Sequence, residues 1–171
     1  MTSTATPDLQ QAYDRAREHV GRTQTVALGR LQALDVQRFA IAAGDLSPEY
    51  FDQDAARAAG HDGLPVPPLY LSAVLGWQAG PPEPELLADG NATEPLGSVP
   101  LGGLRLMGGG QSLRFHEPVL VGADVTMEVV VEDLQLKEGR SGALMLLTVL
   151  RRYLDEQGRL LVECRETFIA R

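Results

Sequence analysis

The chain has 171 residues, 44% of them hydrophobic, and a formal net charge of −8, which suits one globular domain with a sizeable core. Its fifteen Lys and Arg are scattered, which argues against a nucleic-acid partner, because phosphate binding wants a local cationic surplus. A lone cysteine, Cys164, excludes an internal disulfide and any cysteine-based zinc cluster, and fits a reducing compartment.

The N-terminal stretch MTSTATPDLQ has neither a cationic start nor an apolar run, and no window approaches the ~18 apolar residues of a membrane span. A soluble, cytoplasmic protein is expected. Thr6 and Pro7 read as an N-cap and first-turn proline, and Leu9, Tyr13, Ala16 and Val20 fall at helical spacing before Gly21, predicting a helix over 7–20. His19 lies among charged neighbours on that helix and reads as a solvated residue. The segment 23–34 has β-branched residues and partial alternation, interrupted by Gly29, and reads as a strand or extended chain. Asp35 is expected to cap a second helix whose stripe is Val36, Phe39, Ala40 and Ala43, closed by Gly44. Ser47-Pro48 starts a turn, and an alanine-rich helix within 51–63 ends at Gly60.

The run LPVPPLYLSAVLGWQAG, 64–80, is the most informative. Pro67 and Pro68 can occupy only a helix entrance, and LYLSAVLGW is apolar almost all round, so a buried helix over 68–79 is expected. Trp77 on it reads as core first and as the wall of a binding site second. Residues 80–103, with five prolines and five glycines, read as a long irregular connection. From Gln111 onward the period becomes two: SLRFHEPVLV, ADVTMEVVVEDLQLK, ALMLLTVLRRYLDEQ and RLLVECRETFIAR are strand-like runs joined by short turns, an antiparallel meander. One buried helix followed by such a sheet predicts an α+β layer fold with the sheet wrapped around the helix.

The candidate chemistry is sparse. Asp45, in GDLSPEYF, reads either as a catalytic carboxylate or as the cap of a local turn, since Asp before Ser-Pro ordinarily accepts backbone N–H bonds a few residues on. Gly108, Gly109 and Gly110 are not a phosphate loop, because no lysine and no helix follow. They let a strand start close to another backbone or to a ligand's arm. Cys164 sits in an alternating strand with nothing nearby to lower its pKa. His116, in RFHEP, reads as a solvated or interface residue, and His61, in AAGHDG, as a minor catalytic candidate.

The order FAIAAGDLSPEYFD, AARAAGHDG, PVPPLYLSAVLGW, MGGGQSLRFHEPVLVGADV and EGRSG resembles the MaoC-like hydratases and dehydratases of the hotdog fold, over about residues 30–171. Within that family it looks like the FAS1-like dehydratase N-terminal domains, which include non-catalytic partners of heterodimeric hydroxyacyl-carrier-protein dehydratases. Catalytic members resemble G-D-x-N-P-x-H-x-D, whose Asp and His jointly hold the water that adds to an enoyl thioester. Two proton-handling groups with pKa values near neutrality suit that reaction. Here the matching positions run from Gly44 to Asp52, with Asp45 retained and Tyr50 where the His stands. Bringing a phenol from about pKa 10 to neutrality takes about 4 kcal/mol of differential stabilisation, and a neighbouring carboxylate works against it. Tyr50 is a hydrogen-bond donor and a poor base. Relatives also show a small A-H-G-like entrance whose N–H polarises the thioester carbonyl. Pro67 and Pro68 have no N–H to offer there, and the next donor belongs to Leu69.

The resemblance implies a hotdog domain over 23–171 with a helical extension over 1–22, paired with another hotdog into a double unit as a homodimer or heterodimer. It implies an acyl thioester of coenzyme A or a carrier protein as ligand, and neither metal nor cofactor. Ser47, Pro68, Leu69, Tyr70, Trp77, Gly109 and Gly110 are the expected substrate-binding positions, and Asp45, Tyr50 and His61 the catalytic or vestigial ones. Tyr50 makes the expected role that of a substrate-binding, non-catalytic half of an (R)-specific 3-hydroxyacyl-thioester dehydratase or enoyl-thioester hydratase. The alternatives are a self-sufficient homodimeric hydro-lyase using Asp45, and a non-enzymatic acyl-CoA-binding sensor or scaffold.

Overall fold

The computed structural model describes residues 8–73, 82–86, 90, 99–101, 104–139 and 142–171. Helix α1, Leu9–Ala16, is capped by Asp8, whose carboxylate accepts from the backbone N–H groups of Gln10 and Gln11 at 3.0 and 3.2 Å. The predicted cap Thr6 and Pro7 lie outside the described residues. The α-helix is also shorter than expected, since Arg17–His19 tighten into a 3-10 turn. Ala12 and Ala16 bury its inner face against Leu101, Leu134 and Leu147.

Strand β1, Thr23–Arg30, follows, kinked between Ala27 and Gly29. Helix α2, Ala33–Ala43, starts two residues before the predicted cap: Asp35 sits in its first turn and Gln32 is the N-cap. Val36 and Phe39 of its inner stripe join the cluster of Val66, Tyr70, Leu71 and Tyr153, and Ala40 is fully buried, whereas Ala43, expected on the stripe, is exposed. Gly44 ends it in the left-handed region, φ 74°, with its N–H shared between the carbonyls of Ala40 and Ile41. Only glycine takes that conformation without penalty, so the chain turns there. Helix α3, Gln53–Ala58, is capped by Asp52, which accepts from Ala55 N at 2.7 Å. Of the expected long buried helix, the described part is α4, Tyr70–Ala73, with Tyr70, Leu71 and Ser72 buried; Trp77 and the rest of 74–79 lie outside the described residues.

Strands β2 (Leu106–Phe115), β3 (Asp124–Gly139), β4 (Gly142–Leu154) and β5 (Leu160–Ala170) complete an antiparallel five-stranded sheet in the order β1-β3-β4-β5-β2. The meander holds for β3 to β5. The chain then departs from expectation, because β2 skips its sequence neighbour to pair with β5 while β1 covers the free edge of β3. β2 and β1 are therefore the sheet edges. β2 also begins earlier than the period-two reading and stops at Phe115, so His116 lies beyond the strand.

The sheet's inner face carries two apolar clusters. One joins α1 to Met145, Leu147 and Val149, and the other joins α2 and α4 to Tyr153, Val162 and Cys164. Between them, Arg151 on β4 and Glu166 on β5 form an ion pair, their side chains 8% and 12% exposed. The Arg151 guanidinium lies 5.8 Å from the centre of the Phe168 ring. Burial pulls the Arg151 pKa down, while the neighbouring Tyr153 and Cys164 push it up. Burial raises the Tyr153 phenol to about 12, with Arg151 opposing that rise.

Candidate functional site

The turn at Gly44 delivers the motif. Asp45 N donates to Ala40 O at 3.0 Å, which locks the exit from α2. The Asp45 carboxylate then folds over the next turn, accepting from Ser47 Oγ at 2.6 Å and Ser47 N at 3.2 Å. Pro48 is pre-set for the 3-10 turn Pro48–Tyr50 that follows. The turn aims Tyr50 inward to 6% exposure, and Gln37 Nε2 donates to its carbonyl at 3.3 Å.

The electrostatics of the pair run in opposite directions. The Ser47 hydroxyl, then its backbone N–H, hold the Asp45 carboxyl below the usual carboxylate range, with a smaller contribution from the Tyr50 hydroxyl. Burial pushes the Tyr50 phenol up, reinforced by the charges of Asp45 and Glu49. At neutral pH the motif therefore presents an ionised acid engaged in its own turn and a neutral phenol. The turn-cap reading of Asp45 is realised, and the carboxylate lies within hydrogen-bonding reach of the Tyr50 hydroxyl.

Tyr50 opens onto a cleft of about 370 Å³. Val66, Leu71, Phe115, Val119 and Val162 supply its apolar wall, and Pro65, Pro67, Pro68 and Pro118 bracket it. Its polar groups are Glu49, Tyr50, His61, His116 and Glu117. Two distant segments are stitched together to make it. Pro65 bridges Leu120, Val66 N donates to Val119 O at 2.8 Å, and Val121 N donates to Leu64 O at 2.9 Å. His61 arrives just after α3, its N–H bonded to Ala56 O at 3.0 Å, and His116 arrives where β2 leaves the sheet, its N–H bonded to Leu161 O at 2.9 Å. An adjoining depression shares His61 and Glu117 and adds Asp62 and Arg159. The Arg159 guanidinium is taken by Asp155, Nε to Oδ2 at 2.7 Å.

The expected site residues divide. Tyr50, His61 and Pro68 line the cleft, whereas Asp45 does not. Ser47 acts through Asp45. Leu69 is 50% exposed outside the lining, and Tyr70 packs edge-on against Phe39, ring centres 5.3 Å apart, so its role is core. Gly109 and Gly110 serve the sheet. A Cβ on Gly109 would lie 3.0 Å from Thr167 O, and Gly110, φ 117°, forms the β2 bulge. At Gly109 the close backbone approach expected from sequence is present. His116, expected from sequence at a solvated or interface position, is exposed and stands on the rim of the cleft, which Glu49 and Glu117, not singled out from sequence, also line. The available signal was Pro118, which cannot continue a ladder and marks where the chain leaves the strand. Cys164 is buried and donates weakly to Gln111 Oε1 at 3.6 Å, and burial raises its pKa, so its thiol is inert. Among the described residues no group of three His, Cys, Asp or Glu is arranged to hold a metal, and no helix is long and apolar enough to cross a membrane.

A five-stranded antiparallel sheet bearing helices on one face is shared with the hotdog proteins. The ChsH1-ChsH2 complex from Mycobacterium tuberculosis contains a chain that matches with TM-score 0.69 at 19% identity, over 95% of each chain. A chain of the truncated HadBC complex of the same organism, a 3R-hydroxyacyl-ACP dehydratase, matches with TM-score 0.64 at 17% identity, over 86% of this chain and 96% of that one. These likenesses define the class: a hotdog fold, α+β. Residues 18–164 match the family described as "FAS1-like, dehydratase domain region", and the chain belongs to that family of MaoC-like dehydratases. Among curated proteins, a UPF0336 protein of Streptomyces griseus is 29% identical over 136 residues, 80% of this chain and 81% of that protein. A Thermomonospora curvata protein named "Probable enoyl-CoA hydratase alpha subunit" is 27% identical over 148 residues, 76% of this chain and 41% of that longer protein.

Proposed function

We propose that this chain is the acyl-thioester-binding, non-catalytic half of an (R)-specific 3-hydroxyacyl-thioester dehydratase or enoyl-thioester hydratase, working in the cytoplasm beside a catalytic hotdog subunit. The observation that carries this reading is the state of the motif. Its acid is committed to the Ser47 turn, and its second position holds a phenol that burial and two neighbouring carboxylates keep protonated. Water addition to an enoyl thioester wants a group that both gives and takes a proton near neutrality, and neither side chain meets that requirement. The entrance to α4 adds to this, because Pro67 and Pro68 bring no N–H where a thioester oxygen would be polarised. In this reading the cleft receives the acyl end, and the partner supplies the Asp/His pair. The subunit complexes among the structural neighbours and the alpha-subunit designation of the T. curvata relative support a two-subunit arrangement.

Co-purification from the native host, followed by a crotonyl-thioester hydration assay on the chain alone and on the complex, tests it. Activity confined to the complex is the expected result; equal activity of the isolated chain refutes it. A second reading has one specific observation in its favour: His61 lines the cleft with Tyr50, which gives a self-sufficient hydro-lyase an imidazole to use. Loss of activity of the isolated chain on His61→Ala would select that reading.

A further inference from the structure

We infer, building on the acyl-thioester reading of the cleft, that it selects acyl groups with uncharged ends and rejects those carrying a carboxylate near the thioester, and that Glu49 and Glu117 set this preference. The two carboxylates belong to different segments, Glu49 to the 3-10 turn after Asp45 and Glu117 to the exit from β2, and both line the same cavity. Glu49 already acts on the cleft's interior, since its charge helps hold the buried Tyr50 phenol in the protonated form. Among the described residues no Lys or Arg lines the cavity; its basic side chains are His61 and His116. Arg159, in the adjoining depression, is held mainly by Asp155 and only more weakly attracted by Glu117, and Asp62 adds another carboxylate there. An incoming carboxylate thus meets two like charges from two sides of a concave, partly apolar space, the part-buried Glu49 and the exposed Glu117. A hydrocarbon end meets Val66, Leu71 and Val162 instead. The cavity, about 370 Å³, is in the small-ligand range.

The test uses butanoyl- and succinyl-pantetheine, matched thioesters without the carrier's phosphates, titrated calorimetrically into the full chain at low salt. The expected result is about tenfold tighter binding of the butanoyl compound, from two repulsive contacts of ordinary size. Raising the salt should shrink that preference, and Glu49→Gln with Glu117→Gln should reduce it to about threefold or less. Binding of both compounds with equal strength, or a preference that survives the double substitution, overturns the inference and leaves the acyl-thioester reading intact. Failure of both compounds to bind, with the chain folded by circular dichroism, overturns that reading and the inference with it.

Discussion

Replacing Arg151 by methionine keeps an unbranched aliphatic side chain at this inward position and removes the guanidinium that lies over the Phe168 ring. Glu166 is then left on the inner face of the sheet, its side chain 12% exposed, between two apolar clusters. Breaking a buried pair from one side costs about 3–5 kcal/mol, most of it the desolvation of the stranded charge. Loss of the contact with the Phe168 ring, 5.8 Å away, adds at most about 1 kcal/mol. For a chain of this length each kcal/mol moves Tm by about 2–4 °C, so the single substitution should lower Tm by about 6–24 °C. Arg151→Met combined with Glu166→Leu removes both charges and should recover most of that loss, because an apolar pair of similar volume substitutes for a buried ion pair at little cost. Thermal and urea unfolding of parent, both singles and the double give the coupling directly. A single substitution costing under about 1 kcal/mol, or a double whose loss equals the sum of the singles, would refute the reasoning.

Ser47→Ala should raise the Asp45 pKa toward the ordinary carboxylate value, followed by NMR titration of its carboxyl. The Asp45 pKa is depressed in the folded chain, so its contribution is present above the unfolded value and lost as pH falls through the folded one; the variant should lose less stability on acidification. The phenol of Tyr153 is raised to about 12. Its contribution is therefore complete below pH ~10 and lost between about 10 and 12, so Tyr153→Phe should flatten the fall in Tm over that range. Gly44→Ala meets no atom within 4 Å and should cost about 1–2 kcal/mol purely through the backbone, φ 74°, read as a lower urea midpoint with unchanged slope.

The parts of the fold that local chemistry decides were legible. Gly44 and Gly60 stop helices because they take φ of 74° and 91°, and the alternation of 143–170 declares β4 and β5. What the sequence hides is what distance decides. The pairing of β2 with β5, and the bridge between Pro65 and Leu120, are not properties of any window, so nothing local shows that the exposed His116 borders a cleft. Arg151 falls at an inward position of a strand, where alternation by itself calls for an apolar residue, and only its diagonal neighbour Glu166 makes it tolerable. The motif at Asp45 was legible in identity, while its engagement with Ser47 and the burial of Tyr50 needed coordinates.

The central claim is that a phenol at Tyr50 leaves this chain unable to move water across an enoyl bond unaided, and it is met most directly by steady-state hydration of a crotonyl thioester. The isolated chain should turn over at least about 10²-fold more slowly than the complex with its co-purifying subunit, the scale of one lost acid–base group. Turnover by the isolated chain matching that of the complex, and abolished by Asp45→Asn, would contradict it.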